Sequence, residues 1–160
     1  MSALMGLPRL VTNNNGDVMV LWVEEQKSPN GDIAHKVYTR QYVSMTAASA
    51  RSWQPAMFVA NISHPNMNET PDLFLADNGN ALMVWTQMIE WKEGGVYANK
   101  FLPATGWLET PEIVAYVADP FSSNNYMTPK GMILPNGEIV VVWKYTGYKE
   151  SGMLSAVGQM

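Results

Sequence analysis

Aromatic, amide and carboxylate side chains that could bind a sugar collect in segments of the chain that do not repeat. Trp91 lies in the run Glu90-Trp91-Lys92-Glu93 and has no counterpart elsewhere in the sequence. An aromatic face can stack on the apolar C–H patch of a sugar ring, while Asn and Glu side chains bond its hydroxyl groups. The candidate ligand-binding residues are therefore Trp91, Tyr145, Tyr148, Tyr126, His64, Glu69 and Glu90.

A structural role is the alternative interpretation of these residues. The segments without a repeat are 24–36, 62–70, 88–95, 118–128 and 145–152. They would then pack against one another or against a partner chain. Binding residues concentrate on loops that a rigid scaffold holds in place, so these segments stay candidates for a site.

Catalytic groups are not marked by the spacing of residues. Hydrolysis of a glycosidic bond needs two carboxyl groups that face each other across a cleft. Adjacent Glu24 and Glu25 would point to opposite faces of a strand, and charged loop residues such as Glu90 and Glu93 are usually only solvated. No Gly-rich phosphate loop, metal-ligand motif or nucleophile elbow is present. The sequence therefore favours a non-catalytic protein without a cofactor, a catalytic residue or a bound metal.

The composition excludes several classes of function. The chain has 160 residues, a net charge of −4 and no cysteine, so disulfides and thiolate metal sites are ruled out. Its ten Lys and Arg residues are scattered, whereas nucleic-acid binding needs clustered basic residues. No run is long enough to span a membrane, and the N-terminus does not resemble a secretion signal. We expect no nucleic-acid or membrane partner, and either a cytoplasmic location or excision from a longer exported parent.

A repeated pattern of Pro, Asn-Gly and Trp indicates the architecture. Its copies start 63 and 58 residues apart, a period that is typical of repeated supersecondary units. Pro is tolerated at the start of a strand, and Asn-Gly suits the positive φ of a two-residue hairpin turn. Each copy therefore predicts a β-hairpin. The copies read Pro8…Asn15-Gly16…Trp22, Pro71…Asn78-Gly79…Trp85 and Pro129…Asn136-Gly137…Trp143.

The strands that end in the repeated Trp are continuously apolar. They read Val18–Trp22, Ala81–Trp85 and Ile139–Trp143. Such runs are typical of strands that are covered on both faces, so all three Trp residues are expected in the core. Further strands are predicted after each Trp, including a fourth that begins at Trp53 and at Trp107. Four antiparallel strands around a buried inner strand are typical of a β-propeller blade; a β-sandwich is the alternative.

The sequence therefore predicts an all-β fold of β-propeller type, with about three four-stranded blades in one domain over residues 1–160. Blade 1 covers about 8–61, blade 2 about 71–117, and an incomplete blade 3 about 129–160. Because a ring needs about four to eight blades, three blades leave two faces open. We expect two chains to form a six-bladed homodimer, in which residues 1–7 pair onto the partner's third blade. A fragment of a longer propeller is the alternative.

The middle repeat resembles one found in tandem in many bacterial exported and surface proteins with sialidase-like β-propellers. The resemblance rests on Pro71–Trp85, Val96–Phe101 and Gly106-Trp107, and extends over most of residues 8–157. Asp77 and Gly79 fit the spacing of the related Asp-box motif, but its closing Thr-Trp is absent. The resemblance implies a propeller blade, and this class of repeat carries no single activity.

Two functions stay open at this point. The first is a non-catalytic module that binds a glycan or a protein on the face opposite the Asn-Gly turns. The second is a glycoside-processing enzyme whose site forms across the assembled ring. The resemblance to sialidases implies a clamp of three arginines, and nothing in the predicted fold brings together the three arginines of this chain: Arg9, Arg40 and Arg51.

Overall fold

The strands of the protein follow the three copies of the repeat. The computed structural model describes residues 2–43, 50–62, 70–90, 93–118, 128–146 and 151–159. These residues form thirteen β-strands and no helix, so the predicted all-β class is confirmed. They build three antiparallel sheets that do not close into a ring. Consistent with this, the described residues contain no helix that could cross a membrane.

The first sheet has four strand positions from its inner to its outer edge. It contains β1 (Ser2–Thr12), β2 (Val18–Lys27) and β3 (Ile33–Val43), followed by an outer strand in two pieces. These pieces are β4 (Ser52–Trp53) and β5 (Met57–Ile62), and both pair with β3.

The second sheet repeats the first. Its strands are β6 (Asp72–Leu75), β7 (Ala81–Glu90), β8 (Glu93–Leu102), β9 (Gly106–Trp107) and β10 (Glu112–Ala118). The last two pair with β8 in the same way as β4 and β5 pair with β3.

The third sheet is shorter by one strand. It contains β11 (Lys130–Ile133), β12 (Glu138–Thr146) and β13 (Ser151–Gln159), and no fourth strand pairs with β13 within the described residues. The division of the chain into two complete blades and an incomplete third one stays a prediction.

The Asn-Gly hairpins differ from the predicted two-residue turns. In the first, Gly16 N–H donates to the Asn13 carbonyl (3.1 Å), and Asn13 N–H donates to the Asp17 carbonyl (3.2 Å). This pattern leaves a loop of three residues, Asn14 to Gly16, in which Gly16 has a φ of 79°. A three-residue loop of this kind places a left-handed residue last. The glycine therefore has the predicted role in a longer loop.

The middle sheet is buried on both faces. We call the face that carries the repeated Trp the front face and the opposite one the back face. On the front face of β7, Met83 and Trp85 pack against Met19 and Leu21 of β2. On its back face, Leu82 and Val84 pack against Ile139, Val141 and Trp143 of β12. The core thus consists of two sheet-to-sheet junctions, and each joins one sheet's back face to the next sheet's front face.

The second junction requires a glycine on the innermost strand. A Cβ atom on Gly131 of β11 would lie 2.8 Å from Leu82 Cδ2 and 3.0 Å from Val84 Cγ1. Such a separation is shorter than van der Waals contact, so β11 approaches β7 closely because residue 131 lacks a side chain.

The outer sheets have only one covered face each, which corrects the sequence-based prediction for β2 and β12. Along β2, Met19, Leu21 and Val23 are buried, whereas Val18, Val20 and Trp22 on the front face are half-buried. Along β12, Val140 and Val142 on the back face are half-buried. Trp85 and Trp143 belong to the core, but Trp22 does not. The physical reason is that, among the described residues, no sheet packs on the front face of the first sheet or on the back face of the third.

Residues 2–5 also differ from the prediction that they pair with a partner chain. They continue β1 and pair with Val23 to Gln26 of β2, beyond an irregularity between Met5 and Arg9. Residues 2–5 therefore belong to the innermost strand of the first sheet in their own chain.

The connections opposite the Asn-Gly turns are shorter than predicted, because strand pairing continues beyond the apolar runs. β2 and β3 extend through much of 24–36, β7 and β8 through much of 88–95, and β12 and β13 reach to Thr146 and from Ser151. In the first sheet, Glu24 lies opposite Lys36 and Glu25 opposite His35. The opposite charges of Glu24 and Lys36 favour such pairing.

Truncation of the repeated Trp residues tests the difference between buried and open faces. Trp85→Ala should cost about 3–5 kcal/mol of unfolding free energy, the usual loss for a buried aromatic side chain. Trp22→Ala should cost clearly less when both variants are measured by urea denaturation at nanomolar concentration. Equal losses would contradict the half-buried position of Trp22.

Candidate functional site

Most side chains that the sequence nominates for ligand binding cannot be placed. His64, Glu69, Trp91, Tyr126 and Tyr148 lie outside the described residues. Glu90 is the last residue of β7 and Tyr145 lies near the end of β12, with only their backbones described. Both strands run away from an Asn-Gly turn, so these two residues lie at the predicted end of their sheets. A common site for the seven residues stays a prediction.

A cavity of about 490 Å³ lies at the other end of the sheets, beside the Asn-Gly turns. It forms where the three innermost strands end next to one another, since β6 has Cα atoms within 8 Å of both β1 and β11. We call it the turn-side cavity. Its lining combines polar and apolar side chains, among them Asn13, Asn14, Asp77, Asn78, Phe74 and Pro135.

Asp77 is the centre of the hydrogen bonds around this cavity. Its Oδ1 accepts from the backbone N–H of Asn14 (2.8 Å), and its Oδ2 accepts from Asn14 Nδ2 (2.8 Å). Asn15 Nδ2 donates to the Asp77 carbonyl (2.5 Å), and Asn13 Nδ2 donates to the Ala76 carbonyl (3.1 Å). Three consecutive asparagines of the first sheet thus bind one turn of the second.

The carboxylate of Asp77 stays ionised to a lower pH than an ordinary aspartate, because its pKa is lowered. Hydrogen bonds from the side chain and the backbone of Asn14 lower the pKa of Asp77 below its ordinary value of 3.8. The group lies in full contact with solvent. A carboxylate offers about four lone-pair positions, so each oxygen can accept a further bond from a ligand hydroxyl while Asn14 remains bound.

A chain of charges occupies the opposite end of the innermost strands. Asp72 Oδ1 lies 3.5 Å from Arg9 Nη2 and 2.7 Å from Lys130 Nζ. The three residues follow the repeated Pro in their copies, so they take equivalent positions in the three sheets. The adjoining cavity among the described residues has a volume of only about 30 Å³. These three charges therefore link the sheets at this end, and the small cavity beside them is not a candidate site for an organic ligand.

Sequence reasoning missed the turn-side cavity, because it placed the ligand on the face opposite the Asn-Gly turns. One signal was present: the turns are not alike. The first contains Asn13-Asn14-Asn15, and only the second has an acidic residue, Asp77, at the position of Asn14 and Pro135. A carboxylate at one turn and amides at the neighbouring turn indicate a contact between repeats.

Metal coordination has no candidate in the part of the chain that the structure describes. No three His, Cys, Asp or Glu side chains there are close enough to share an ion. The described histidine, His35, has its Nε2 atom 3.8 Å from Glu25 Oε2.

Comparison with known proteins assigns no family. No protein-family model matches the chain, and no curated protein matches its sequence. What the turn-side cavity and the open faces do must therefore be argued from their own geometry.

The bonds to Asp77 should make stability depend on pH at the acid end. Because the pKa of Asp77 is lower in the folded protein, its contribution is complete above the ordinary value of 3.8 and is lost as the pH falls through the lowered value. The advantage of wild type over Asp77→Asn in urea denaturation should therefore be constant near neutral pH and shrink in acid.

Asp32→Asn is a matched control for this experiment. It neutralises a carboxyl in an exposed turn inside the first sheet, where the backbone N–H of Asp32 donates to Ser28 Oγ (3.1 Å). An advantage over Asp77→Asn that stays the same down to acid pH would contradict a role for the ionised carboxylate.

Proposed function

We propose that the chain is a non-catalytic binding module of β-propeller type, which binds a glycan after two copies have assembled into a six-bladed ring. One observation carries the proposal: within the described residues the middle sheet is buried on both faces, whereas the first and third each leave one face with exposed apolar side chains. In this reading each sheet is a blade, and the chain is half of a ring.

The number of blades favours two copies. Propellers typically contain about four to eight blades, so one copy provides too few and three copies would provide nine. Two copies give six. The two complete sheets also have the four-stranded order of a blade, with the fourth strand divided into two pieces. The resemblance to sialidase-like repeats remains part of this proposal.

A glycan is the ligand class that suits the turn-side cavity. The cavity places the Asp77 carboxylate and the Asn78 amide in one depression with Phe74 and Pro135. Sugars present hydroxyl groups and apolar C–H patches on the same ring, and a site for them needs both kinds of partner. The predicted residues at the opposite end, with Trp91 foremost, are the second place for such a ligand.

Assembly is tested first, by light scattering after size exclusion at low micromolar concentration. We expect a mass of twice 17.8 kDa, because pairing removes two open faces of each copy from water. A monomer at every accessible concentration would contradict the assembled module.

Ligand binding is tested by applying the protein to a glycan array and repeating positive results with two variants. Asn78→Ala changes the turn-side cavity, and Trp91→Ala changes the opposite end. If the turn-side cavity is the site, Asn78→Ala should weaken binding about tenfold or more, the effect of losing hydrogen bonds to the ligand. Trp91→Ala should then bind like wild type.

Other results would change the assignment. Loss of binding in Trp91→Ala alone would move the site to the opposite end. An array without any bound glycan would contradict the ligand class. Hydrolysis of a glycoside that Glu90→Gln abolishes would replace the binding module by an enzyme.

A further inference from the structure

We infer that two copies join head to tail, with the back face of the third sheet receiving the front face of the first sheet of the other copy. In this arrangement Trp53 of one copy bonds Ser155 of the other. The inference rests on the proposed assembly and specifies which surfaces form it and how they are oriented.

The two open faces hold most of the exposed apolar side chains. Ten large hydrophobic residues are exposed among those described, and six of them lie on these faces. The strand registers place three on the front face of the first sheet and three on the back face of the third. They are Leu10 (63% exposed), Trp53 (45%) and Phe58 (50%), and Met132 (46%), Met153 (75%) and Val157 (67%).

The chain already shows how such faces join. Both internal junctions place a back face on the front face of the following sheet. The open faces are one front face and one back face, so they are the two halves of a third junction of the same kind. A second copy of this chain supplies the missing half at each end.

A specific contact in the first junction shows what the third would contain. Trp107 lies on the front face of the second sheet, and its Nε1 donates to Thr39 Oγ1 (2.8 Å) on the back face of the first. Trp107 belongs to the short strand β9, and Thr39 lies opposite Leu21 of β2. The contact therefore joins a fixed position of one sheet to a fixed position of the preceding sheet.

The same two positions are filled on the open faces. Trp53 occupies the place of Trp107, because it pairs with Tyr42 as Trp107 pairs with Phe101. Ser155 occupies the place of Thr39, because it lies opposite Val142 of β12. A hydroxyl acceptor and an indole donor thus stand ready on the two faces that the inference brings together.

The second junction supports this assignment by contrast. There the position of Thr39 is taken by Ala98, opposite Val84 of β7. The third sheet provides no strand equivalent to β9 among the described residues. A hydroxyl group therefore occurs where a Trp faces it and is missing where none does, and Ser155 follows this rule only if Trp53 of another copy faces it.

The area of the two junctions agrees with a stable dimer. If each open face presents on the order of 400 Å² of apolar surface, which is a large patch for a monomer, two junctions remove four such faces. The total of about 1,600 Å² is the size of a standard stable interface.

The charges add a dependence on salt. In the closed ring Arg9 of the other copy would follow Lys130 at the innermost strands, as Asp72 follows Arg9 within one copy. Two cations then approach each other, although each keeps its contact with Asp72. Salt screens this repulsion, so moderate salt should strengthen the dimer.

Cross-linking tests the orientation, and the absence of cysteine from the chain gives a clean background. A variant carrying both Arg9→Cys and Lys130→Cys is treated with a short bifunctional maleimide and analysed on a denaturing gel. Head-to-tail closure predicts a covalent dimer, because each junction brings residue 130 of one copy beside residue 9 of the other. Asp72→Cys with Lys130→Cys is the positive control and should link within one chain.

The single variants distinguish the other arrangements. Arg9→Cys alone and Lys130→Cys alone should give no covalent dimer. A dimer from either would mean that like faces meet, which would overturn the head-to-tail inference while leaving the assembly intact. A ladder of larger species from the double variant would overturn closure into a ring of two. A monomeric mass together with no cross-link would contradict both proposals.

A double-mutant cycle tests the contact itself. Trp53→Phe and Ser155→Ala should each weaken dimerisation by about tenfold, since each removes one hydrogen bond from both junctions. The double variant should be no weaker than either single one. Tyr116→Ala removes an aromatic side chain that is 72% exposed elsewhere and should leave dimerisation unchanged. Effects of the two substitutions that simply multiply would overturn the contact.

Discussion

The packing of sheets face to face is the constraint on which the rest of the structure depends. Both faces of β7 must be covered, because the side chains of Ala81–Trp85 are apolar. All five are buried. The first sheet covers the front face of β7, and the third sheet covers its back face. The same arrangement leaves the front face of β2 and the back face of β12 only half-buried. The burial of β7 and the exposure of the two outer faces therefore have the same cause, which is that each sheet is covered only by its neighbours.

Polar contacts between the sheets add direction to this packing. Apolar faces attract each other without a preferred register, whereas the bond from Trp107 to Thr39 has one donor and one acceptor at set heights in their sheets. Two of the repeated Trp residues on the front faces donate to the side chain two residues further along the chain. Trp22 Nε1 donates to Glu24 (2.9 Å), and Trp85 Nε1 donates to Gln87 (3.2 Å). Trp143 Nε1 is buried without a partner among the described residues. Two residues beyond it stands Tyr145, where the other copies have Glu24 and Gln87.

The repeat made the strands predictable, and the contacts between sheets were not. Pro, Asn-Gly and Trp are local signals, and each marks a strand end, a turn or a buried face by itself. Burial depends on which sheet packs against a face: Trp22 and Trp85 both end an apolar run in the sequence, yet of these two only Trp85 packs against a preceding sheet. The turn-side cavity follows the same logic. Asn14 and Asp77 lie far apart in the chain, and their bond depends on how two sheets meet, which no local pattern states.

The difference in character between the two open faces argues for their mutual recognition. The front face of the first sheet is aromatic: Trp22 stacks on Tyr38, whose ring also contacts Phe58. The back face of the third sheet offers Met132, Met153 and Val157, which are flexible or small. Methionine adapts to irregular surfaces and forms favourable contacts with aromatic rings. Two rigid aromatic faces could pack together only if their surface shapes matched closely. The pairing of unlike faces therefore places fewer constraints on the sequence than the pairing of like faces.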